Sequence, residues 1–456
     1  MKENSTKQRK KIDMLNGSLF DKIVLFAIPI AISSILQQLF NSADSAVIGK
    51  FVGAHALAAV GVNGPLVSLF VNLLAGSSVG ANVVVGAYLG SKQYDRIKTA
   101  IGTCVAFSLV GGFVIALIGQ FISEPVLHLI GTPDEILPLS TLYLKIYFAA
   151  MPFIVLYNFL SAILRAGGDT KRPLIALFLA GIINVILNII LVVVFGLGVE
   201  GVAIATLVSN IISSMLLIYW LMNDDGPIVL YPETIKLHWR DFSKVIAIGL
   251  PAGLQGAAFA FSNICIQSAI NAFGSDVIAG NTVALNYEAM AISMSVAFSQ
   301  TVVTFISVNF AARNIDRCKK TTLYCFLANT ISYIIIGLVM NIFADKLLLL
   351  FTSEPIIIEQ AKIRMGICTA LLFLSAAYEI FGGTIRGLGH SLLPAVIVLI
   401  GTCLFRLVWI YILLPEGHSI ENIYMVYPMT WAITSVITTI FYFKVTRREY
   451  DFHGTK

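Results

Sequence analysis

Charge is what this chain has least of. Of its 456 residues, 12% are Asp, Glu, Lys or Arg, against roughly 25% in a soluble domain. With 57% hydrophobic residues, the composition excludes a soluble domain carrying one anchor and implies a polytopic membrane protein. Motifs for covalent turnover are missing: there is no GxxxxGK[ST] nucleotide loop, no HExxH and no nucleophile elbow. An enzyme and an ATP-driven pump are set aside, so work must draw on an ion gradient or on the substrate's own gradient. The six cysteines (Cys104, Cys265, Cys318, Cys325, Cys368, Cys403) form no CxxC pair and no metal-ligand spacing. They read as small apolar residues, and no metal or cofactor is expected beyond a coupling ion, H⁺ or Na⁺. No A-x-A-like site follows the first apolar run, so no removable signal peptide is expected.

What is present is a series of apolar runs of membrane-spanning length. Twelve are read, at 23–47, 57–80, 99–122, 146–164, 174–195, 201–222, 245–271, 278–305, 322–343, 365–385, 393–414 and 423–443. An even count puts both termini on one side. Of the 30 Lys and Arg, 24 fall in the terminal segments and even-numbered loops, including Lys2, Lys7, Arg9, Lys10 and Lys456. The positive-inside rule then places both termini in the cytoplasm. These basic clusters read as topology signals rather than nucleic-acid patches. The divisions are a basic N-terminus (1–22), a first lobe (23–222), a polar linker with two prolines (223–244), a second lobe (245–443) and a cytoplasmic C-terminus (444–456).

The two lobes are a tandem repeat. Asp95-Arg96 recurs as Asp316-Arg317, Tyr157 as Tyr378, and Arg165-x-x-Gly168-x-Thr170-x-x-Pro173 as Arg386-x-x-Gly389-x-Ser391-x-x-Pro394, all at a common offset of 221. Pro29 and Asn41 recur as Pro251 and Asn263 at 222. Six spans per lobe is even, so the halves are parallel and related by a pseudo-twofold axis along the membrane normal. The expected architecture is all-α, with a midplane site between lobes that rock to expose it alternately.

Polar residues inside the runs are the candidate sites. Gln37, Asn41 and Asp44 are spaced by four and three, which puts them on one helix face. A carboxylate there faces helices or water, because exposure to lipid costs about 2.5–3.5 kcal/mol on insertion scales. Asp44 is a candidate proton or sodium acceptor, or else a structural tie between helix ends. Asn184 and Asn188, at i and i+4, hold helices together, line a cavity or coordinate a cation, and with Gln37 and Asn41 they join Asp44 as candidates for ion coupling. The other charges inside runs are Glu288, Glu379 and Arg406. Glu288 is either a counter-charge for a cationic substrate or a buried partner of Arg406, since the two lie about 15 and 12 Å from the same membrane face at ~1.5 Å per residue. Tyr287, Met290, Met294 and Phe298 beside it form an adaptable stripe suited to promiscuous binding, or ordinary packing. Gln255, Asn263 and Gln267 run along the seventh span as further candidates for the cavity lining. Glu379, Arg165 and Arg386 read as structural or gating residues near the basic face. Pro29 and Pro251 should kink the first helix of each lobe.

The stretch Asp44-x-x-x-x-Gly49-x-x-x-Gly53, the Ala58-Ala59-Val60-Gly61 after it and the duplicated R-x-x-G-x-[ST]-x-x-P resemble the multidrug and toxic compound extrusion (MATE) family. The resemblance runs from about Leu19 to Tyr442 and is nearest the bacterial branch of DinF-like and MepA-like exporters. It implies an antiporter of the bacterial inner membrane that exports lipophilic cations for H⁺ or Na⁺ by rocker-switch movement, with Asp44 in the family's helix-one role; a monomer in contact with membrane lipids is expected. Eight residues after the helix-seven proline, sodium-coupled relatives carry a glutamate and this chain carries Phe259. A second reading is a lipid-linked glycan flippase, which would want a strongly cationic central cavity. Arg406, the one arginine inside a run, argues against it. A third reading, a non-transporting scaffold, lacks any appended soluble domain.

Overall fold

The structure is a computed structural model describing residues 11–414 and 419–454. Lys2, Lys7, Arg9, Lys10 and Lys456 lie outside the described residues. Among the described residues there are helices and no strand. Twelve helices are long and apolar enough to cross a membrane: α1 (Leu19–Phe51), α2 (His55–Gly90), α3 (Tyr94–Leu129), α4 (Leu137–Ala166), α5 (Lys171–Val194), α6 (Val199–Met222), α7 (Trp239–Asn271), α8 (Ser275–Ala311), α9 (Ile315–Ile342), α10 (Pro355–Gly387), α11 (Leu392–Leu413) and α12 (Ile420–Asp451). Helices suit this composition because each bonds its own N–H and C=O groups without water.

One boundary differs in a way that matters. The tenth apolar run begins at residue 365, but α10 begins well before it, at Pro355. The intervening PIIIEQAKIR segment is too polar for a hydropathy count, yet it is helical and buries Arg364 to 1% exposure. Arg406 is therefore not the only arginine within a span. The cysteines are free thiols, five buried and Cys265 half-buried.

The repeat is visible in the backbone. Positive φ angles occur in matched pairs, at Gly53 and Gly274, Lys92 and Arg313, and Gly168 and Gly389. Each pair has the same offset, 221, as the sequence anchors. In one half, α4 packs on α2, α3 and α6, while α1 packs on α5; in the other, α8 packs on α9 and α10, and α10 on α12. α1 and α2 also cross to the second half, α1 onto α8 and α2 onto α7 and α8. Helices α1 and α7 run unbroken through Pro29 and Pro251, and Ser33 Oγ donates to the Pro29 carbonyl at 2.7 Å.

The halves meet along small residues. Gly76 and Gly80 of α2 face Gly249 and Gly253 of α7, two G-x-x-x-G faces that let the backbones touch. A Cβ added at Gly80 would lie 2.0 Å from the Val245 carbonyl oxygen, and one at Gly253 would lie 2.2 Å from that of Leu73. This contact covers the half of each helix nearest the basic face. Toward the far face the same helices part around a recess lined by Ser68 and Asn72 on one side and Asn263 and Gln267 on the other. The cleft thus opens away from the termini.

A strap precedes α1. Ile12 N–H donates to the Gly168 carbonyl at 3.0 Å, and Gly168 has φ +81° with Ile12 O where a Cβ would sit. Lys11 and Arg172 both pair with Asp224. Further along, Arg317 donates to the carbonyls of Met14, Asn16 and Gly17 at 2.8–3.2 Å, and Asn309 donates to Met14 O. Residues 11–17 therefore bridge both halves on the basic face. Burial alone would push the Asp224 carboxyl up, but hydrogen bonds from Lys11 and Arg172 outweigh it and hold it below the usual range. A depressed folded pKa contributes stability above the unfolded value of about 3.9 and loses it as pH falls through the folded value. Thermal unfolding of purified protein, scanned from about pH 6 to 3, should show a steeper acid loss in wild type than in Asp224→Asn.

Candidate functional site

The Gln37, Asn41 and Asp44 face of α1 borders a cavity of ≈ 330 Å³ enclosed by α2, α4, α5 and α6. Asp44 Oδ1 accepts from Asn188 Nδ2 at 2.5 Å, and Oδ2 accepts from Thr206 Oγ1 at 3.5 Å. Asn184 closes the network, accepting from Asn188 at 3.3 Å and donating to Thr206 at 3.5 Å. Both asparagines are buried. Among the described residues Asp44 takes part in no ion pair. Of the five candidates for ion coupling, the structure joins Asp44, Asn184 and Asn188; Gln37 and Asn41 line the cavity without bonding to the carboxylate. Close packing holds α1 here: a Cβ at Gly181 of α5 would overlap the Phe40 ring. Directly after Asn188, α5 widens into a π-helical turn, Ile189–Val194, a feature frequent at functional positions. Thr206 and the stacked Tyr143 and Tyr147 are additions to the site. Spacing along one helix does not reveal which hydroxyls a neighbouring helix brings opposite it.

A second cavity of ≈ 310 Å³ lies between the halves. Gln37, Asn82 and Arg165 line it from one side, and Gln255, Phe259, Gln300, Glu379 and Arg386 from the other. Gln37 and Leu177 border both cavities, which are therefore contiguous. Arg386 Nη1 donates to Gln255 Oε1 at 3.1 Å.

The remaining candidates for substrate contact sit elsewhere. Asn263 and Gln267 line the far-face recess. Glu288 is the main correction: its partner is Arg364, not Arg406, through Nη2 at 2.7 Å and Nε at 3.2 Å. Depth alone favours Arg406, because a hydropathy count leaves Arg364 in a loop. Tyr287, Met290, Met294 and Phe298 line neither cavity. The Tyr287 hydroxyl donates to the Leu347 carbonyl at 2.7 Å, Met290 is exposed, and Met294 and Phe298 pack with Phe26 and Phe305.

Arg406 donates to Asn263 Oδ1 at 3.1 Å and Thr430 Oγ1 at 3.3 Å, with its guanidinium 4.6 Å from the Tyr427 ring centre. Tyr427 also lies 4.8 Å from the Arg364 guanidinium. At the offset of 222 that holds along the first helix of each half, Asn263 corresponds to Asn41 and Ile266 to Asp44. In the second half a guanidinium therefore lies beside α7, which carries no carboxylate at the position matching Asp44.

Comparison with known proteins places this chain in a class. The MatE family model matches it twice, over residues 29–190 and 251–412, and the chain belongs to that family. It is 28% identical over 394 residues to "Probable multidrug resistance protein YoeA" of Bacillus subtilis, covering 83% of this chain and 84% of that one. "Multidrug export protein MepA" of Staphylococcus aureus is 23% identical, covering 82% of each. A MOP superfamily transporter from Pyrococcus furiosus superposes with TM-score 0.89 at 21% identity, covering 97% of this chain and 99% of that one. An outward-facing MATE transporter superposes with TM-score 0.87 at 21% identity, over 99% and 100%. The two-lobe fold is shared with both.

Removing one member of a buried ion pair leaves an uncompensated charge, at about 3–5 kcal/mol. Glu288→Ala should therefore lower thermal stability in detergent sharply, whereas Asn41→Ala, at an exposed α1 position, should scarcely change it.

Proposed function

We propose that this chain is a secondary multidrug exporter of the bacterial cytoplasmic membrane, working as a monomer with both termini inside. Entry of a cation at Asp44 drives the outward release of a small amphiphilic compound. One observation carries the reading: a carboxylate with no ion-pair partner among the described residues sits in a cavity contiguous with a second one between the two halves. Its hydrogen-bond partners present donors, Asn188 Nδ2 and Thr206 Oγ1, an arrangement suited to a group that takes and releases a proton. H⁺ is accordingly the coupling ion we favour over Na⁺. The names of the relatives support multidrug export as the class of work, and the family resemblance supports lipophilic cations as cargo.

Proteoliposomes under separately imposed proton and sodium gradients test the coupling. A proton gradient should drive dye transport by wild type and not by Asp44→Asn, while a sodium gradient alone should do nothing. Undiminished transport in Asp44→Asn would remove Asp44 from the mechanism. The glycine seam gives an independent test of rocking. Gly80→Val puts side-chain atoms against the Val245 carbonyl, so α2 and α7 cannot close on the basic face. Transport should stop while the protein is still made and inserted.

A further inference from the structure

We propose that the central cavity is built for a cargo bearing an oxyanion, a carboxylate, sulfonate or phosphate, gripped by Arg165 and Arg386. The inference rests on the exporter reading above and departs from the lipophilic-cation cargo that the family resemblance implies.

The two arginines occupy equivalent places in the repeat, at the offset of 221, each in the last turn of its helix, α4 and α10. They line one cavity from opposite halves. Glu379, two turns before Arg386 on the same helix, is the only carboxylate in that lining among the described residues. Neither arginine has a carboxylate within ion-pair distance among the described residues, and Gln255 takes one Arg386 N–H. With all three ionised, the cavity carries one excess positive charge. An organic cation lowered into it meets two guanidinium groups and one acid. An oxyanion meets two planar, always-charged donors whose geometry matches it. Glu379 and the unpaired Gln300 Oε1 are placed to receive a donor on the same molecule, so a zwitterion also fits. The two guanidinium groups belong to halves that move relative to one another in a rocking cycle. A bound oxyanion that bridges them therefore holds best in the states where they converge.

Two dyes with one fluorophore separate the charges: dansyltaurine, a sulfonate, and dansylcadaverine, an amine. Each is titrated onto purified full-length protein and read by dansyl emission. Dansyltaurine should bind at least roughly tenfold more tightly, a difference of about 1.4 kcal/mol. Arg165→Gln and Arg386→Gln should each weaken it by roughly tenfold without weakening dansylcadaverine. Arg165→Lys, which keeps charge but not the planar fork, should fall between. Thermal unfolding of each variant shows that the fold persists, and the lysine variant keeps the test open if a glutamine variant does not fold. Displacement of dansyltaurine by phosphatidylglycerol in mixed micelles would identify a lipid headgroup as the oxyanion source, and its absence a soluble anion. Tighter binding of dansylcadaverine to wild type, or dansyltaurine affinity unchanged in both glutamine variants, overturns the proposal. Proton-driven transport lost in Asp44→Asn scores the exporter reading separately. A wild type that moves only dansylcadaverine keeps that reading and ends this one.

Discussion

Backbone contact between α2 and α7 decides the shape of everything else. In hydrocarbon, apolar side chains gain nothing from leaving lipid for a neighbour, so helices associate where small residues let backbones approach. Gly76, Gly80, Gly249 and Gly253 supply that approach on the basic half alone. On the far half the corresponding positions are Ser68, Asn72, Asn263 and Gln267, too large and too polar to close in the same way. One seam with small residues at one end and amides at the other therefore makes a wedge. The wedge opens the seam toward the far face, while Arg165 and Arg386 line the central cavity from the basic ends of α4 and α10. α1 leans on α5 behind it and on α8 in front, so its polar face is held at the mouth.

Duplication alone would have produced two equivalent ion sites. The halves instead diverge: Asp44 corresponds to Ile266 at the offset of 222, and Arg406 lies beside Asn263, the counterpart of Asn41. A guanidinium there is held by Asn263, Thr430 and the face of Tyr427, and it does not leave. The second half thus carries a fixed cation and no acid at the position matching Asp44. Beside it the Glu288–Arg364 pair carries no net charge, so the excess charge of this cluster comes from Arg406. A rocking protein whose halves both titrated would have two ways to discharge the gradient. In the proposed cycle the second half holds a fixed charge here, while Asp44 is the carboxylate of the first-half cavity that changes its charge.

Several of these features are legible from residue order because they depend on periodicity. The one-faced stripe of Gln37, Asn41 and Asp44 follows from helical spacing, and the tandem halves follow from anchors at offsets of 221 and 222. What is not legible depends on which helices touch. Thr206 is one hydroxyl among several in α6, and nothing in its neighbours marks it as opposite Asp44. Arg364 is hidden by averaging, because its segment has too many polar residues to score as a span even though Glu288 and Asn281 satisfy it inside one. The pairing of Glu288 with Arg406 fails for the same reason. The strap at residues 11–17 has no periodic signature at all; Arg317 and Asn309 hold it mainly by donating to its backbone carbonyls, which any sequence can supply.

In the proposed exchange, the link between ion and cargo comes down to Gln37. It lies two helical turns from Asp44, borders both cavities, and sits on a helix packed against both halves. Protonating Asp44 removes the charge that Asn188 and Thr206 solvate, which alters how strongly α1 is drawn toward α5 and α6. Any resulting shift of α1 moves Gln37 at the junction and strains the strap just before Leu19, where Arg317 holds three carbonyls from the opposite half. On the proposed reading, a change of one proton at the far end of α1 would be felt at both the cargo cavity and the basic-face closure. Those are the two places the proposed exchange cycle must coordinate, and one helix, continuous through Pro29, reaches both.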